Sequence, residues 1–254
     1  IARMHERPQA ALFAALRELG YRVDSANDKL PAVIFGGGER SQESGVRSQE
    51  KAGRRCRVSV EESSQFASAL LLCARHGAWE VEIDGANEDE MPYVTMTREL
   101  VKVFPRRGGE FQIEPDASGG SYVRAAEWIS FAGKANEANA ITVRSWPETE
   151  WQVDARFGAS RELPRVISRK TDLGDSIMTA IVVAPLGEFP IRFTDLGRLR
   201  VQECERVVAL RTELTKCGAH VVEEGDTLTV FPSELHGAEI ETYNDHRMAM
   251  CFAV

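Results

Sequence analysis

Long apolar runs, cysteine clusters and an excess of positive charge are all missing from this 254-residue chain. No apolar stretch approaches the ~20 residues of a membrane-spanning helix, so no membrane partner is expected. The opening IARMHERPQA has neither an initiator Met nor the apolar centre of a secretion signal, and we expect a chain cut from something longer. Five cysteines, Cys56, Cys73, Cys204, Cys217 and Cys251, form no CxxC and no Cys/His ligand spacing. Their odd number disfavours a disulfide framework, and a reducing, cytoplasmic setting without a bound metal fits best. A net charge of -8 argues against nucleic acid as a partner. Any anion site must then be a local cationic cluster working against the global field.

With 43% hydrophobic and 28% charged residues, the chain reads as globular, with one large core or two modest ones. A helix opened by Arg7-Pro8 carries Leu12, Phe13, Leu16 and Leu19, closes at Gly20 and leads into the strand-like Tyr21-Arg22-Val23. The same spacing recurs at Leu210, Leu214 and Gly218, ahead of Ala219-His220-Val221-Val222. Weaker helical patterns cover Phe66 to Leu72, Tyr93 to Phe104 and Tyr122 to Phe131, and β-rich runs cover Trp79–Ile83, Ala140–Val143 and Leu228–Phe231. This alternation predicts an α/β fold built from a repeated helix-strand unit. Phe35 to Arg55 has no periodicity and reads as a loop or irregular hairpin. The polar break at 105–116 places a domain boundary that divides the chain into 1–113 and 114–254.

Chemistry concentrates in a few clusters. In ETYNDHRMAMCFAV, Glu241 to Val254, residues 243–245 supply caps and the apolar residues from Met248 onward predict a largely buried helix interior. His246 and Arg247 fall in its first turn, where orphan N–H groups favour an anion, although both could simply be solvated. Ser63, Ser64 and Gln65 stand at a helix start, as a plain cap or as uncharged phosphate donors. Asp175 precedes an apolar helix in TDLGDSIMTAIVVA and reads as a cap or as a general base. Arg198 to Arg206 holds five charges in nine residues, a pattern usually met on solvated faces.

Taken together, Arg-Met-x-Glu-Arg-Pro at 3–8, Ser-Ser-Gln, Pro-Tyr at 92–93, Glu-Pro-Asp-Ala-Ser at 114–118, Gln152-x-Asp154, Asp175, Arg200 to Arg206 and Asp-His-Arg-Met-Ala-Met resemble, in order, the signatures of the enolpyruvyl transferase superfamily. The likeness is to the 5-enolpyruvylshikimate-3-phosphate synthases in particular. It implies phosphoenolpyruvate binding by Arg3, Gln65, Arg206, His246 and Arg247. Shikimate-3-phosphate would be bound by Ser63, Ser64, Gln65, Glu90, Tyr93, Asp175, Arg198 and Gln202. Asp175 and Glu203 would be the catalytic carboxylates, with Arg200 and Glu205 as supporting charges.

Also implied are two similar inside-out α/β barrels of βαβαββ repeats, incomplete at both ends here, and a monomeric enzyme with no cofactor. The family's opening Lys-Ser and Asn-x-Gly-Thr motifs and a last lysine-bearing piece have no counterpart in this chain, so the fragment alone is expected to be inactive. Gly174 replaces a proline, Gln202 a lysine, Arg198 an asparagine and Glu90 a serine. Glu90 beside a phosphate would be repulsive, so Arg198 or another cation is expected to pair with it or with the phosphate. Two alternatives remain: a non-catalytic anion-binding paralogue, and the transferase acting on UDP-N-acetylglucosamine, which usually carries a cysteine just before the Arg-Pro segment.

Overall fold

The computed structural model describes residues 5–36, 53–105, 107–132, 141–158 and 163–254. Cα packing divides the chain into two compact units, Ile1–Glu110 and Phe111–Val254. In the first, helix α1 (Ala10–Glu18) precedes the antiparallel strands β1 (Arg22–Asp24) and β2 (Val33–Phe35). Strands β3 (Arg54–Ser59) and β4 (Trp79–Asp84) run parallel, joined through α2 (Ser64–Gly77), and α3 (Met91–Val103) follows. Period-two alternation turns Cys56 and Val58 into a core with Ala15, Leu19, Phe66, Leu70 and Val94. The outward face carries Arg55 opposite Glu80 and Arg57 opposite Glu82, at 2.8 and 3.2 Å. Both pairs are exposed and add little energy, but they favour this register.

The second unit starts with α4 (Ala117–Ala132) and centres on a four-stranded sheet of order β5-β6-β8-β7. Strand β5 (Val166–Ser168) is parallel to β6 (Ile191–Thr194), and the crossover between them carries α5 (Ile177–Val183). Helix α6 (Arg206–Lys216) leads to the hairpin of β7 (Val221–Glu224) and β8 (Thr227–Val230), and α7 (His246–Phe252) comes last. Ile177, Ile181, Phe193, Leu210, Leu228 and Met248 are buried together. Every residue of α5 but Val182 is buried, and its one polar side chain, Thr179, shares a hydrogen bond with Ser121 of α4.

The two Leu-x-x-x-Leu-x-x-x-Gly segments end their helices in the same way. Gly20 and Gly218 sit at φ +86° and +92°. The next amides, of Tyr21 and Ala219, donate to the carbonyls of Leu16 and Leu214 at 3.0 Å. Three expectations need correction or fall away. Of the expected run Ala140–Val143, Ala140 lies outside the described residues, and Ile141–Val143 pairs with no strand among the described residues. Most of the Phe35 to Arg55 segment, residues 37–52, lies outside the described residues. Helix α7 is also not buried throughout: Met248 and Cys251 face the core, while Ala249, Met250 and Ala253 are exposed.

All five cysteines are free; Cys56 and Cys251 are buried, Cys204 and Cys217 half-buried, and Cys73 lies exposed on α2. Burial, aided by the Asp245 carboxylate, pushes the Cys204 thiol up to about 11, and burial pushes Cys251 up to about 12.

The two glycines separate backbone strain from crowding. A Cβ at Gly20 meets nothing within 4 Å, whereas one at Gly218 lies 3.1 Å from the Glu234 carbonyl and 3.0 Å from His236. Gly20→Ala should therefore cost only the left-handed penalty, about 1–2 kcal/mol. Gly218→Ala should cost more, because the Glu234 backbone must also shift. Native-state hydrogen exchange of the α1 and α6 amides checks both, and equal losses would refute the crowding argument.

Candidate active site

In the second unit the helices α5, α6 and α7 pack against one another, and their amino ends bring together the acids and arginines expected from the sequence. Glu205 caps α6 by accepting from the Val208 amide, which leaves Arg206 as the first helical residue. Its side chain is 1% exposed. Nε donates to Asp245 Oδ2 at 2.7 Å, and Nη2 donates to Asp245 Oδ1 at 3.2 Å and to Glu203 Oε2 at 2.7 Å. Nη1 donates to Gln202 Oε1 and lies 4.0 Å from Asp175 Oδ2. A charge run that usually lies in solvent thus delivers one guanidinium into the core, where carboxylates on several sides replace its lost hydration.

Asp245 is equally buried and does two jobs. Besides holding Arg206, its Oδ1 accepts from the Arg247 amide at 2.8 Å and so caps α7. Burial raises the Asp245 carboxyl, but the Arg206 hydrogen bonds and charge outweigh it and hold the group below the usual carboxylate range.

Asp175 does not cap α5. The Ser176 amide donates instead to the buried Asp154 carboxylate, at 2.7 Å. Relieved of that role, Asp175 accepts from Arg169 at 2.9 Å and pairs with Arg247 Nη2 at 3.2 Å. Burial pushes it up, yet the charges of Arg247, Arg169 and Arg206 bring it below its ordinary value. The Asp154 carboxyl is raised, chiefly by burial.

Arg247 also donates to Ser118 Oγ near the start of α4. Gln152 fixes that start, accepting from the Ala117 amide at 2.9 Å and donating to the Pro115 carbonyl at 2.9 Å. Arg247 keeps 20% of its side chain exposed against 3% for Arg169 and 1% for Arg206, so it is the most open guanidinium of the three. Glu203 is 28% exposed and His246 71%, with its Nδ1 3.9 Å from Asp245. Arg198 is half-buried and Arg200 holds Asp226, Glu223 and Glu205, anchoring the turn before α6.

The remaining expected residues belong to the first unit. Ser63 caps α2 by accepting from the Gln65 amide at 3.2 Å, and the Ser64 amide donates to Glu90 Oε2 at 2.7 Å. Ser64 and Glu90 are buried, Tyr93 half-buried and Gln65 exposed. Arg3 lies outside the described residues. Arg169 was not singled out from the sequence, and Ser118 entered only as the end of the Glu-Pro-Asp-Ala-Ser segment. Among the described residues no group of three or more His, Cys, Asp or Glu is placed to hold a metal ion.

The sequence model of EPSP synthase (3-phosphoshikimate 1-carboxyvinyltransferase) matches residues 2–157 and 148–254. The chain belongs to the EPSP synthase family. It is 28% identical to the 3-phosphoshikimate 1-carboxyvinyltransferase of Trichormus variabilis, over 100% of this chain and 65% of that one. It is 31% identical to the Rhizobium etli protein of the same name, over 99% and 62%, and 29% identical to a chloroplastic one of Nicotiana tabacum, over 100% and 55%. The chain thus spans less than two thirds of these relatives' length. The solved EPSP synthase of Acinetobacter baumannii superposes with a TM-score of 0.57 at 17% identity, over 100% of this chain and 65% of that one, a likeness of fold. Within the EPSP synthase family, this member therefore combines matching segments in order with a mixed helix and strand fold.

The depressed carboxylates set a pH dependence. A carboxyl whose folded pKa lies below its unfolded one contributes stability that is present above the unfolded value, about 4, and is lost as pH falls through the folded value. Asp245→Asn should lower stability near neutral pH by about 3 kcal/mol or more, since Arg206 stays buried with its main counter-charge gone. Urea unfolding of both proteins from neutral to acid pH should show the gap closing below pH ~4. A gap that persists undiminished in acid would contradict the ion-pair account.

Proposed function

We propose that this chain forms the greater part of an enzyme that transfers the enolpyruvyl group of phosphoenolpyruvate to the 5-hydroxyl of shikimate-3-phosphate and releases phosphate. The observation that carries the reading is Asp175, an ionised carboxylate held between Arg169 and Arg247, with Arg247 still open to solvent. The chain's relatives, 3-phosphoshikimate 1-carboxyvinyltransferases by name, support the same reaction. In this reading residues 1–113 and 114–254 are parts of the two barrel domains, and the enzyme is cytoplasmic, monomeric and cofactor-free.

Arg247 takes the carboxylate of phosphoenolpyruvate in a charge-assisted contact, helped by His246, Arg206, Gln65 and Arg3. Doing so draws a cation away from Asp175, whose basicity rises as the acceptor hydroxyl arrives. Asp175 accepts the proton of the attacking 5-hydroxyl while its oxygen bonds the enol carbon, and Glu203 delivers a proton to the methylene carbon. The tetrahedral intermediate then returns a proton from its methyl group to Glu203 and loses phosphate, which takes up the proton held by Asp175, and the enol double bond is restored. Ser63, Ser64, Tyr93, Arg198 and Gln202 hold the acceptor. Glu203 must leave its 2.7 Å bond to Arg206 to carry a proton.

Gln202, bonded to Arg206, and Glu90, bonded to the Ser64 amide, motivate a second reading, a non-catalytic paralogue whose site only binds anions. Phosphate release from phosphoenolpyruvate, assayed in a protein of the family's full length with shikimate-3-phosphate and then with UDP-N-acetylglucosamine, separates these. Release with shikimate-3-phosphate alone is the expected result. Turnover with neither acceptor, alongside retained phosphoenolpyruvate binding, would establish the second reading.

Two substitutions divide the roles. Arg247→Ala should weaken phosphoenolpyruvate binding by about 2–3 kcal/mol through loss of a charge-assisted contact. Asp175→Asn should keep most of that binding and lower turnover about 10²- to 10⁴-fold. Calorimetry and steady-state rates measure each; unchanged turnover in Asp175→Asn would remove it as the base.

A further inference from the structure

Helix α6 holds the segment that leads into α7 at two points. Arg206, its first residue, grips Asp245, and Glu213, seven residues on, lies on the same face about two turns further along. Glu213 is fully buried. Its Oε2 accepts from the Glu241 amide at 3.1 Å, and its Oε1 accepts from the Tyr243 hydroxyl at 2.7 Å. Lys216, on the same helix, donates to both oxygens at 2.9 and 2.8 Å. No step of the proposed reaction uses this carboxylate.

The backbone between the two grips is strained. Tyr243 and Asn244 stand at φ +55° and +53°, a left-handed region that asparagine tolerates and tyrosine rarely enters. Consecutive left-handed residues other than glycine persist only when their surroundings impose them, and such strain collects at functional positions. Here the two grips impose it. The Asp245 amide closes the turn on the Thr242 carbonyl at 2.9 Å, and Asp245 then caps α7. Arg247 is the second residue of that helix, so the turn sets the direction in which its guanidinium projects.

The protonation states suit a lasting bond. Burial raises the Glu213 carboxyl, but bonds from Lys216, Tyr243 and the Glu241 amide outweigh it and keep the group below its ordinary value. The Glu213 bond and burial push the Tyr243 phenol up to about 12. Around neutral pH the carboxylate therefore accepts and the phenol donates.

We propose that Glu213 and Tyr243 are positioning residues for anion binding: their bond holds the left-handed turn at 243–244 and through it keeps Arg247 aimed at Asp175. Without the bond the turn relaxes toward ordinary backbone conformations, and Arg247 loses its aim while keeping its charge. The plain alternative is a buried Lys216–Glu213 ion pair that only stabilises α6. The inference rests on the proposed function in taking Arg247 as the seat of the phosphoenolpyruvate carboxylate.

Two substitutions in the full-length protein separate these accounts. Tyr243→Phe deletes one O–H and keeps the ring, whereas Glu213→Gln removes the charge but keeps an acceptor for the phenol. Tyr243→Phe should raise the phosphoenolpyruvate KM about tenfold, with the shikimate-3-phosphate KM and kcat within about twofold of wild type. Glu213→Gln should stay within about twofold on all three. An unchanged phosphoenolpyruvate KM in Tyr243→Phe, equal rises for both substrates, or a larger effect of Glu213→Gln than of Tyr243→Phe would overturn the proposal. Unfolding of Tyr243→Phe would make the pair a stability element and overturn it as well. Hydrogen exchange of the amides of residues 243–248 in the same proteins needs no substrate: Tyr243→Phe should speed it about tenfold and Glu213→Gln should not. Faster exchange alongside a wild type without turnover would remove the enolpyruvyl reading and leave the positioning of Arg247. Turnover in the wild type with unchanged exchange in Tyr243→Phe would do the opposite.

Discussion

The two-point contact between Arg206 and Asp245 is the constraint on which the second unit's site depends. Neither charge could lie in the core alone, since an unpaired buried ion costs several kcal/mol. Once paired, they fix more than each other. Asp245 also caps α7, and Arg206 is the first residue of α6, so one carboxylate locks the relative placement of two helix starts. Arg247 then projects from the first turn of α7 to meet Asp175 and Ser118. The cap, the ion pair and the reach of Arg247 form one connected piece of geometry.

Charge in this cluster is balanced with little surplus. Four carboxylates, of Asp154, Asp175, Glu203 and Asp245, stand among three guanidiniums, of Arg169, Arg206 and Arg247. Burial pushes the Asp154 carboxyl up, while its oxygen accepts from the Ser176 amide just before α5. Gln202 makes sense in this setting. Its amide oxygen accepts from Arg206, which a lysine at that position could not do. At this position the chain has a neutral side chain whose bond steadies a buried arginine.

Much of the framework was legible because it is local. Leucines four apart followed by a glycine specify a helix and its left-handed stop, and both such segments behave alike. Asp245 as a cap could be read from its neighbours. Burial was less legible, because it depends on what lies opposite. The apolar run after Arg247 suggested an enclosed helix, yet Met248 and Cys251 are buried, Phe252 and Val254 pack against the core half-buried, and Ala249, Met250 and Ala253 are exposed. Arg206 sits in a run that normally stays in water, and nothing local marks it as the residue that turns inward. Asp175 was expected either to cap or to act as a base; the Asp154 carboxylate, from a distant segment, took the capping position. Arg169 escaped notice because its six-residue separation from Asp175 fits neither helical nor strand spacing.

The cysteines have a consequence for handling the protein. Thiol chemistry runs through the thiolate, and burial keeps Cys204 and Cys251 protonated well above neutral pH. Cys56 is enclosed in the first core and Cys217 is also pushed up by burial, whereas Cys73 faces solvent on the outer side of α2. A maleimide dye would thus select Cys73 without any cysteine being removed. These 254 residues therefore carry an attachment point of their own for a fluorophore or spin label, on the helix whose first amide Glu90 holds.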